Sequence, residues 1–187
     1  MPGPVQTEAI VLRSIRFGEA DRVLHLYSEK RGRIGAVAKG VRRVRSRFGG
    51  RLEPMFRVSL QLHEGRGELL TVTGAETVHA HQHLREDRAA LERAVGACDA
   101  VLKLLDLNEA NPPAYNLLSR ELALLDSDPA RHATRANALA FRLKLLLAAG
   151  FVPELASCAT CGEPEHLGAF SGAAGGVVCD SCEAGSF

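Results

Sequence analysis

Four of the five cysteines in this 187-residue chain lie in two pairs that have the spacing of metal ligands. The pairs occur in "CATC" and "CDSC", and the seventeen residues between them fall within the range of four-cysteine zinc sites. Two residues between thiolates let one tight turn present both sulfurs to an ion, and a second pair completes a closed tetrahedron. The spacing therefore predicts a site for one structural zinc ion. Its ligands would be Cys158, Cys161, Cys179 and Cys182.

Other kinds of cysteine chemistry fit this pattern less well. Disulfides form in oxidising compartments, whereas the first ten residues lack the features of an export signal, and we expect a cytoplasmic protein. A thioredoxin-like redox site needs a single C-x-x-C motif at a strand-to-helix junction, whereas this chain has two such motifs. Catalytic zinc needs an open coordination position, which a fourth thiolate would fill. A zinc deaminase needs an H-x-E motif, which is absent around the seven histidines. The fifth cysteine, Cys98, lies on an apolar helical stripe and is expected to be buried.

The densest positive charge in the chain lies in "AKGVRRVRSRFGGRLEP", residues 38–54, where Glu53 is the only acid. Guanidinium groups match phosphate oxygens through paired hydrogen bonds, and the glycines of this stretch let a ligand approach the backbone closely. The stretch therefore predicts a surface for a polynucleotide backbone, although a solvated loop without a partner is the alternative. The candidate phosphate-binding residues are Lys39, Arg42, Arg43, Arg45, Arg47 and Arg51.

The distribution of charge along the chain agrees with this interpretation. The formal net charge is only +1. Residues 1–80 nevertheless hold 14 Lys and Arg against 8 Asp and Glu, whereas residues 81–187 hold 9 against 14. This asymmetry indicates that one part of the chain faces an anionic partner.

Two further groups of residues each have two interpretations. Phe48, inside the basic stretch, could stack on a base, or it could fill the core of the domain. "HAHQH" places His79, His81 and His83 at alternate positions, where they could ligate a metal, but an exposed linker between domains is expected.

The elements that must position these residues change in type along the chain. Up to about residue 80, short segments rich in Val, Ile and Leu alternate with Gly-containing or charged turns. Five short strands in fewer than eighty residues predict a small barrel of the OB-fold type, although an SH3-like barrel has the same pattern. The predicted strands are 8–15, 21–28, 33–40, 55–62 and 68–78.

After about residue 83 the apolar period becomes helical. Apolar stripes predict helices over 84–107 and 114–126, separated by Pro112 and Pro113. A third helix is expected to begin at Asp128 as its N-cap, to end at Gly150 and to be the most buried of the three. The sequence thus predicts an α+β protein with an OB-fold domain at 1–80. A helical domain at 81–187 would carry the zinc-binding segment, about 151–187.

Several classes of function lack support in the sequence. No run of about eighteen apolar residues is present, and neither a phosphate-binding G-x-x-x-x-G-K motif nor a dinucleotide-binding G-x-G-x-x-G motif occurs. The residues alone leave four candidates open: a DNA-binding protein, an OB-fold RNA-binding protein, a zinc-stabilised interaction scaffold, and a zinc-dependent enzyme.

The sequence also resembles a known family, the RecO family of bacterial DNA repair proteins. The resemblance covers almost the whole chain and is carried by "GEADRVLHLYSEKRGRIGAVAKGVRRVRSRFGGRLEPMFRVSLQL", "GFVPELASCATCG" and "GGVVCDSC". It implies an OB-fold that binds single- and double-stranded DNA, followed by a helical domain with a zinc knuckle. The chain ends five residues after Cys182, whereas family members usually continue with further helical sequence, so a short or truncated helical domain is expected.

The resemblance further implies a non-enzymatic role in recombinational repair. The family anneals complementary strands and helps to load recombinase, together with the repair protein RecR and single-strand-binding protein, and a nucleoid-associated location follows. The positions that match the family motif imply DNA contact by Lys39, Arg42, Arg43 and Arg47, whereas Arg45 and Arg51 are added from charge alone. The four paired cysteines match the family's metal ligands.

Overall fold

The computed structural model describes residues 4–65 and 67–183. These residues form two compact units, which divide after Ala149. The predicted domain boundary near residue 80 falls inside the first unit and stays a prediction.

The first unit begins with a closed five-stranded barrel in the order β1-β2-β3-β5-β4. Neighbouring strands are antiparallel except β3 and β5, which pair in parallel through residues 36–37 and 70–71. This is the OB-fold rather than an SH3-like barrel, and the predicted fold class is confirmed. The strands are β1 (Pro4–Phe17), β2 (Asp21–Ser28), β3 (Gly32–Ala38), β4 (Arg57–His63) and β5 (Leu70–His79).

Strand β1 links the barrel to the helices because both of its faces are buried. Its first half pairs with β4 and its second half with β2, which makes it longer than the predicted 8–15. Ala9 and Val11 point into the barrel core, whereas Ile10 and Leu12 pack in the cluster that contains the helical residues. Four consecutive buried residues therefore replace the alternation expected of a strand with one solvated face.

A short 3-10 helix (His83–Arg85) and four α-helices follow the barrel in the described part of the first unit: α1 (Arg88–Leu104), α2 (Pro112–Ser127), α3 (Pro129–His132) and α4 (Arg135–Ala148). Helix α1 starts at Arg88 rather than at the predicted residue 84, because the Asp87 side chain accepts a hydrogen bond from the Ala90 amide and caps it. Cys98 is buried on α1, as predicted. No helix in the described part of the chain is long and apolar enough to cross a membrane.

The third predicted helix is two helices, and the expectation that it is the most buried one is wrong. Asp128 caps α3 as predicted, but Thr134 then caps a second start, and its hydroxyl accepts from the Asn137 amide. Only Phe141 and Leu145 of α4 are buried, because α4 packs on α1 and α2 through one face alone. The apolar residues on its other faces remain partly or largely exposed.

The helical region covers part of the outer surface of β2 and β3. The Arg33 guanidinium donates to the carbonyl oxygens of Leu102 and Leu105 at the end of α1. The Tyr27 hydroxyl donates to the carbonyl of Asn111, 3.2 Å away. Gly32 has a φ of +64°, and a Cβ there would overlap the Glu109 carbonyl. OB-folds commonly bind oligonucleotides on strands 2 and 3. Because the helical region covers part of that surface here, a nucleic acid would also need other parts of the barrel.

His81 lies between the barrel and the helices, and the expectation that it belongs to an exposed linker is wrong. It is 3% exposed, and its Nδ1 donates to the Met55 carbonyl over 2.8 Å. His83 lies near an acid, with its Nδ1 3.8 Å from Asp126 Oδ2. The three imidazoles form no metal cluster in the described residues.

His81 should make the stability of the first unit depend on pH. Burial lowers its pKa below the usual 6.5, so below that pH the unfolded chain binds a proton that the folded chain excludes. The free energy of unfolding should therefore fall as pH decreases through 6.5 toward the folded pKa, by at most about 1.4 kcal/mol per pH unit for one group. In His81→Asn, urea denaturation at a series of pH values should show a shallower fall, and an unchanged slope would contradict this role.

Candidate metal centre and nucleic-acid interface

The first cysteine pair is held by a tight turn in the second unit. The Gly162 amide donates to the Cys158 carbonyl over 2.8 Å, and Gly162 has a φ of +81°, a conformation that glycine adopts without strain. The Cys158 amide donates in turn to the Glu163 carbonyl over 2.7 Å. This turn brings the two cysteine side chains of "CATC" to the same side of the backbone, as the predicted zinc knuckle requires.

The second pair is held at the end of a two-stranded hairpin, β6 (Leu167–Ser171) and β7 (Gly176–Cys179), which is followed by the single turn α5 (Asp180–Glu183). Cys179 is the last residue of β7, and Cys182 lies in α5. The Ala159 amide donates to the Val177 carbonyl over 2.7 Å, which ties the first knuckle to β7. Two segments that are distant in sequence thus converge on one point.

The four sulfurs form a compact donor set. All four Sγ atoms lie within 4.8 Å of one another, no disulfide joins them, and they are the only group in the described residues that could hold a metal ion. Cys161 Sγ and Cys179 Sγ are 3.7 Å apart. Zn–S bonds of about 2.3 Å in a tetrahedron place sulfurs roughly 3.8 Å apart, so the arrangement fits zinc.

The protonation of Cys158 is consistent with metal binding. Hydrogen bonds from the backbone amides of Cys179 and Cys161 lower the pKa of its thiol to about 6, whereas hydrogen bonds with Cys161 and Cys179 raise the pKa of the Cys182 thiol to about 12. The thiolate is the form that binds a metal. In the described part of this unit, the buried apolar core consists of Val178 and two cysteines, with a few partly buried neighbours. A bound ion would therefore cross-link a segment that has little core of its own.

We call residues 39–56, which join β3 to β4, the basic loop. The loop is anchored at both ends and in its middle. At its start, the Gly40 amide donates to Asp21 Oδ1 over 2.7 Å; at its end, the Met55 amide donates to the Val11 carbonyl and the Val11 amide donates to the Phe56 carbonyl. In its middle, Phe48 and Leu52 are each 1% exposed in the barrel core. The core interpretation of Phe48 is therefore confirmed, and its ring is not free to stack on a base.

All six predicted phosphate-binding side chains of the basic loop are exposed. None of the six forms an ion pair with a described residue. The one acid of the loop, Glu53, faces Arg22 of β2 at 3.5 Å instead. The fold thus exposes these cations to solvent, and the acids among the described residues do not pair with them.

Two guanidinium groups of the basic loop, those of Arg47 and Arg51, are held by backbone carbonyls, and that of Arg47 also lies against an aromatic ring. Arg47 Nη2 donates to the Val72 carbonyl over 3.3 Å, and its Cζ lies 4.9 Å from the centre of the Phe48 ring. Arg51 Nη1 donates in turn to the carbonyl of Arg47. A guanidinium that is already ordered loses less conformational entropy when it binds a phosphate.

Sequence reasoning missed a set of polar residues beside Arg47. Ser59 and Gln61 on β4 and Thr73 on β5 line a groove of about 320 Å³ together with Gln6. The alternation in "RVSLQL" indicates that Ser59 and Gln61 face away from the core. Nothing local in the sequence places Gln6 and Thr73 beside them.

Comparison with known proteins identifies the family. The model of the family described as "Recombination protein O N terminal" matches residues 1–81, and that described as "Recombination protein O C terminal" matches residues 85–186. Proteins named "DNA repair protein RecO" are similar to this chain over most of their own length. That of Rubrobacter xylanophilus is 39% identical over 179 residues, which cover 95% of this chain and 71% of the relative.

Two further relatives with the same name agree. The protein of Myxococcus xanthus is 35% identical over 176 residues, or 94% of this chain and 71% of the relative. That of Bifidobacterium longum is 40% identical over 178 residues, or 93% of this chain and 72% of the relative. Two family models and relatives of this similarity, together with a five-stranded barrel, a helical region and a four-cysteine cluster, lead to one conclusion. The chain belongs to the RecO family of DNA repair proteins.

Proposed function

We propose that the basic loop binds the backbone of single- and double-stranded DNA, and that the protein uses this binding to anneal complementary strands in recombinational repair. One observation carries the proposal: the six loop cations are exposed and form no ion pair with described residues. The residues that contact phosphates would be Lys39, Arg42, Arg43, Arg45, Arg47 and Arg51.

The physical basis of annealing would be charge neutralisation. Two complementary strands repel each other through their phosphates, and cations that bind one backbone release its counterions and lower this repulsion. Phosphate contacts carry no base information, so the protein would bind all sequences alike and leave the choice of partner strand to base pairing. No catalytic group is required in this scheme, and we propose a non-enzymatic role.

The proposal extends to partners that the family resemblance implies. The protein would act as a mediator that helps to load recombinase, in contact with the repair protein RecR and with single-strand-binding protein, and would be associated with the nucleoid. A structural zinc ion on Cys158, Cys161, Cys179 and Cys182 would hold the second unit together. Four thiolates fill its coordination shell, so the ion would have no open position for a substrate.

An annealing assay with two complementary oligonucleotides tests the proposal. The protein should accelerate duplex formation at low salt and lose this effect as the salt concentration rises, because its phosphate contacts are screened. A protein that binds RNA in preference to DNA in a competition experiment would favour the RNA-binding alternative. Absence of any nucleic-acid affinity at low salt would contradict the proposal and favour an interaction scaffold.

A further inference from the structure

The polar groove beside the basic loop has the size and position of a site for one small group. Its volume of about 320 Å³ lies at the lower end of the range of sites for small molecules. Its floor is the outer surface of β1, β4 and β5, and Arg47 of the basic loop lies at its edge. A ligand whose phosphates bind the basic loop would therefore pass directly beside it.

Three residues on neighbouring strands lie in a row on the floor of the groove, each opposite the next. Gln6 on β1 lies opposite Gln61 on β4, and Gln61 lies opposite Gly74 on β5. Directly opposite residues of antiparallel strands project on the same face of the sheet, here the face away from the barrel core. Gln61 thus lies between the amide of Gln6 and a position that has no side chain.

Gly74 keeps the groove open. Its φ lies outside the left-handed region, so no turn geometry requires glycine there. A Cβ at this position would stand 2.9 Å from Gln61 Oε1. Glycine inside a strand weakens the strand and often marks a place where a ligand approaches closely. Here its absent side chain leaves room for the Gln61 amide and for the cavity above β5.

The lining of the groove suits the edge of a nucleobase. The amides of Gln6 and Gln61 each offer donors and an acceptor, the Ser59 hydroxyl can do either, and the Thr73 hydroxyl, which donates to the Gln61 carbonyl, can accept. The carboxylate of Glu76 at the same groove can accept from an exocyclic amino group. A nucleobase is a flat ring that carries donors and acceptors on its edges. A groove lined with donors and acceptors therefore suits a nucleobase better than a groove with apolar walls.

We propose that this groove binds one unstacked nucleobase of a single strand while the neighbouring phosphates bind the basic loop. The inference rests on the proposed function, because the loop must first hold the backbone. A base inside a duplex stays paired and stacked, so only a single strand can use the groove. The groove therefore adds affinity for single strands to an otherwise sequence-independent backbone contact.

The test compares two single strands with the same number of phosphates: an oligothymidine and a fully abasic strand. The wild-type protein should bind the oligothymidine at least about fivefold more tightly, which is what one net hydrogen bond of about 1 kcal/mol to the base contributes. Gly74→Val fills the groove with a residue that favours strands and should abolish this preference. Gln61→Ala, which removes an amide without filling the groove, should reduce it. Thr77→Val, on the same strand but outside the groove lining, should keep it.

The outcomes separate this inference from the proposed function. In Gly74→Val, affinity for the abasic strand and for duplex should stay at the wild-type level, because the basic loop is intact. A wild-type protein that binds both single strands equally, or a Gly74→Val protein that still prefers the oligothymidine, would overturn the inference while the proposed function stands. A protein that binds neither single strand nor duplex at low salt would overturn both.

Discussion

Charge reversal of Arg42 and Arg43 should weaken binding to single-stranded and double-stranded DNA alike, by on the order of a hundredfold at about 50 mM salt. Both guanidinium groups are exposed, and neither forms an ion pair with a described residue, so their attraction is available to phosphates. The double variant Arg42→Glu/Arg43→Glu turns two attractive contacts into repulsive ones, each worth about 1 kcal/mol per unit charge in water at 4 Å before salt screens part of it. Fluorescence anisotropy with labelled oligonucleotides measures the effect.

A matched control removes the same charge elsewhere. Arg135 and Arg142 of α4 are also exposed, and Arg135→Glu/Arg142→Glu changes the net charge by the same amount. If the basic loop is the binding surface, this control should lose far less affinity than the loop variant. Equal losses in the two variants would show that overall net charge, and not the loop, decides binding. A loss confined to one DNA sequence would point to base readout instead of phosphate contact.

Removal of zinc should unfold the second unit and leave the barrel folded. Structural zinc contributes on the order of 10 kcal/mol in small domains, and the described part of this unit has only Val178 and two cysteines in its buried core. We expect one zinc per chain in the purified protein. A strong chelator should then abolish the hydrogen-exchange protection of amides in the hairpin β6–β7 while amides of the barrel strands stay protected.

Two cysteine variants separate metal binding from packing. Cys161 is exposed, so Cys161→Ala removes almost no buried surface, yet it should lower the zinc content and unfold the hairpin as chelation does. Cys98 is buried on α1 and its pKa is raised to about 12 by burial, so Cys98→Ala should cost some stability and leave the zinc content unchanged. Full zinc content in Cys161→Ala, or loss of zinc in Cys98→Ala, would contradict the assignment of ligands.

Local patterns were sufficient to predict the features that depend on neighbouring residues. The C-x-x-C spacing places two sulfurs on one turn, and the side-chain alternation of residues 57–62 places Val58, Leu60 and Leu62 in the barrel core. Asp128 was recognisable as a helix cap because capping acts within one turn. Thr134 is also a residue type that caps helices, and its side chain accepts from the Asn137 amide three residues later. A cap at Thr134 would have indicated that α3 and α4 are separate helices.

Features that depend on distant pairing could not be predicted in this way. β1 extends back to Pro4 because it pairs there with β4, more than fifty residues away. His81 is buried because Met55, at the end of the basic loop, offers it a carbonyl oxygen. The groove exists only because the barrel brings Gln6, Gln61 and Gly74 into one row, although no two of them are neighbours in sequence.

The role of the basic loop also combines local and distant information. The number and type of its cations are visible in the sequence, but their exposure depends on how the fold places the nearby acids. Glu53 could have neutralised the loop, yet it faces Arg22 of β2. Phe48 and Leu52 hold the middle of the loop to the barrel core, so the guanidinium groups project outward from a fixed base.

The salt dependence of duplex binding tests the central claim most directly. If about four of the loop cations contact phosphates, the logarithm of the association constant should fall with the logarithm of salt concentration at a slope of about −3.6, and by about 1.8 less steeply in Arg42→Glu/Arg43→Glu. Affinity that does not change with salt, or the same slope in both proteins, would contradict the account.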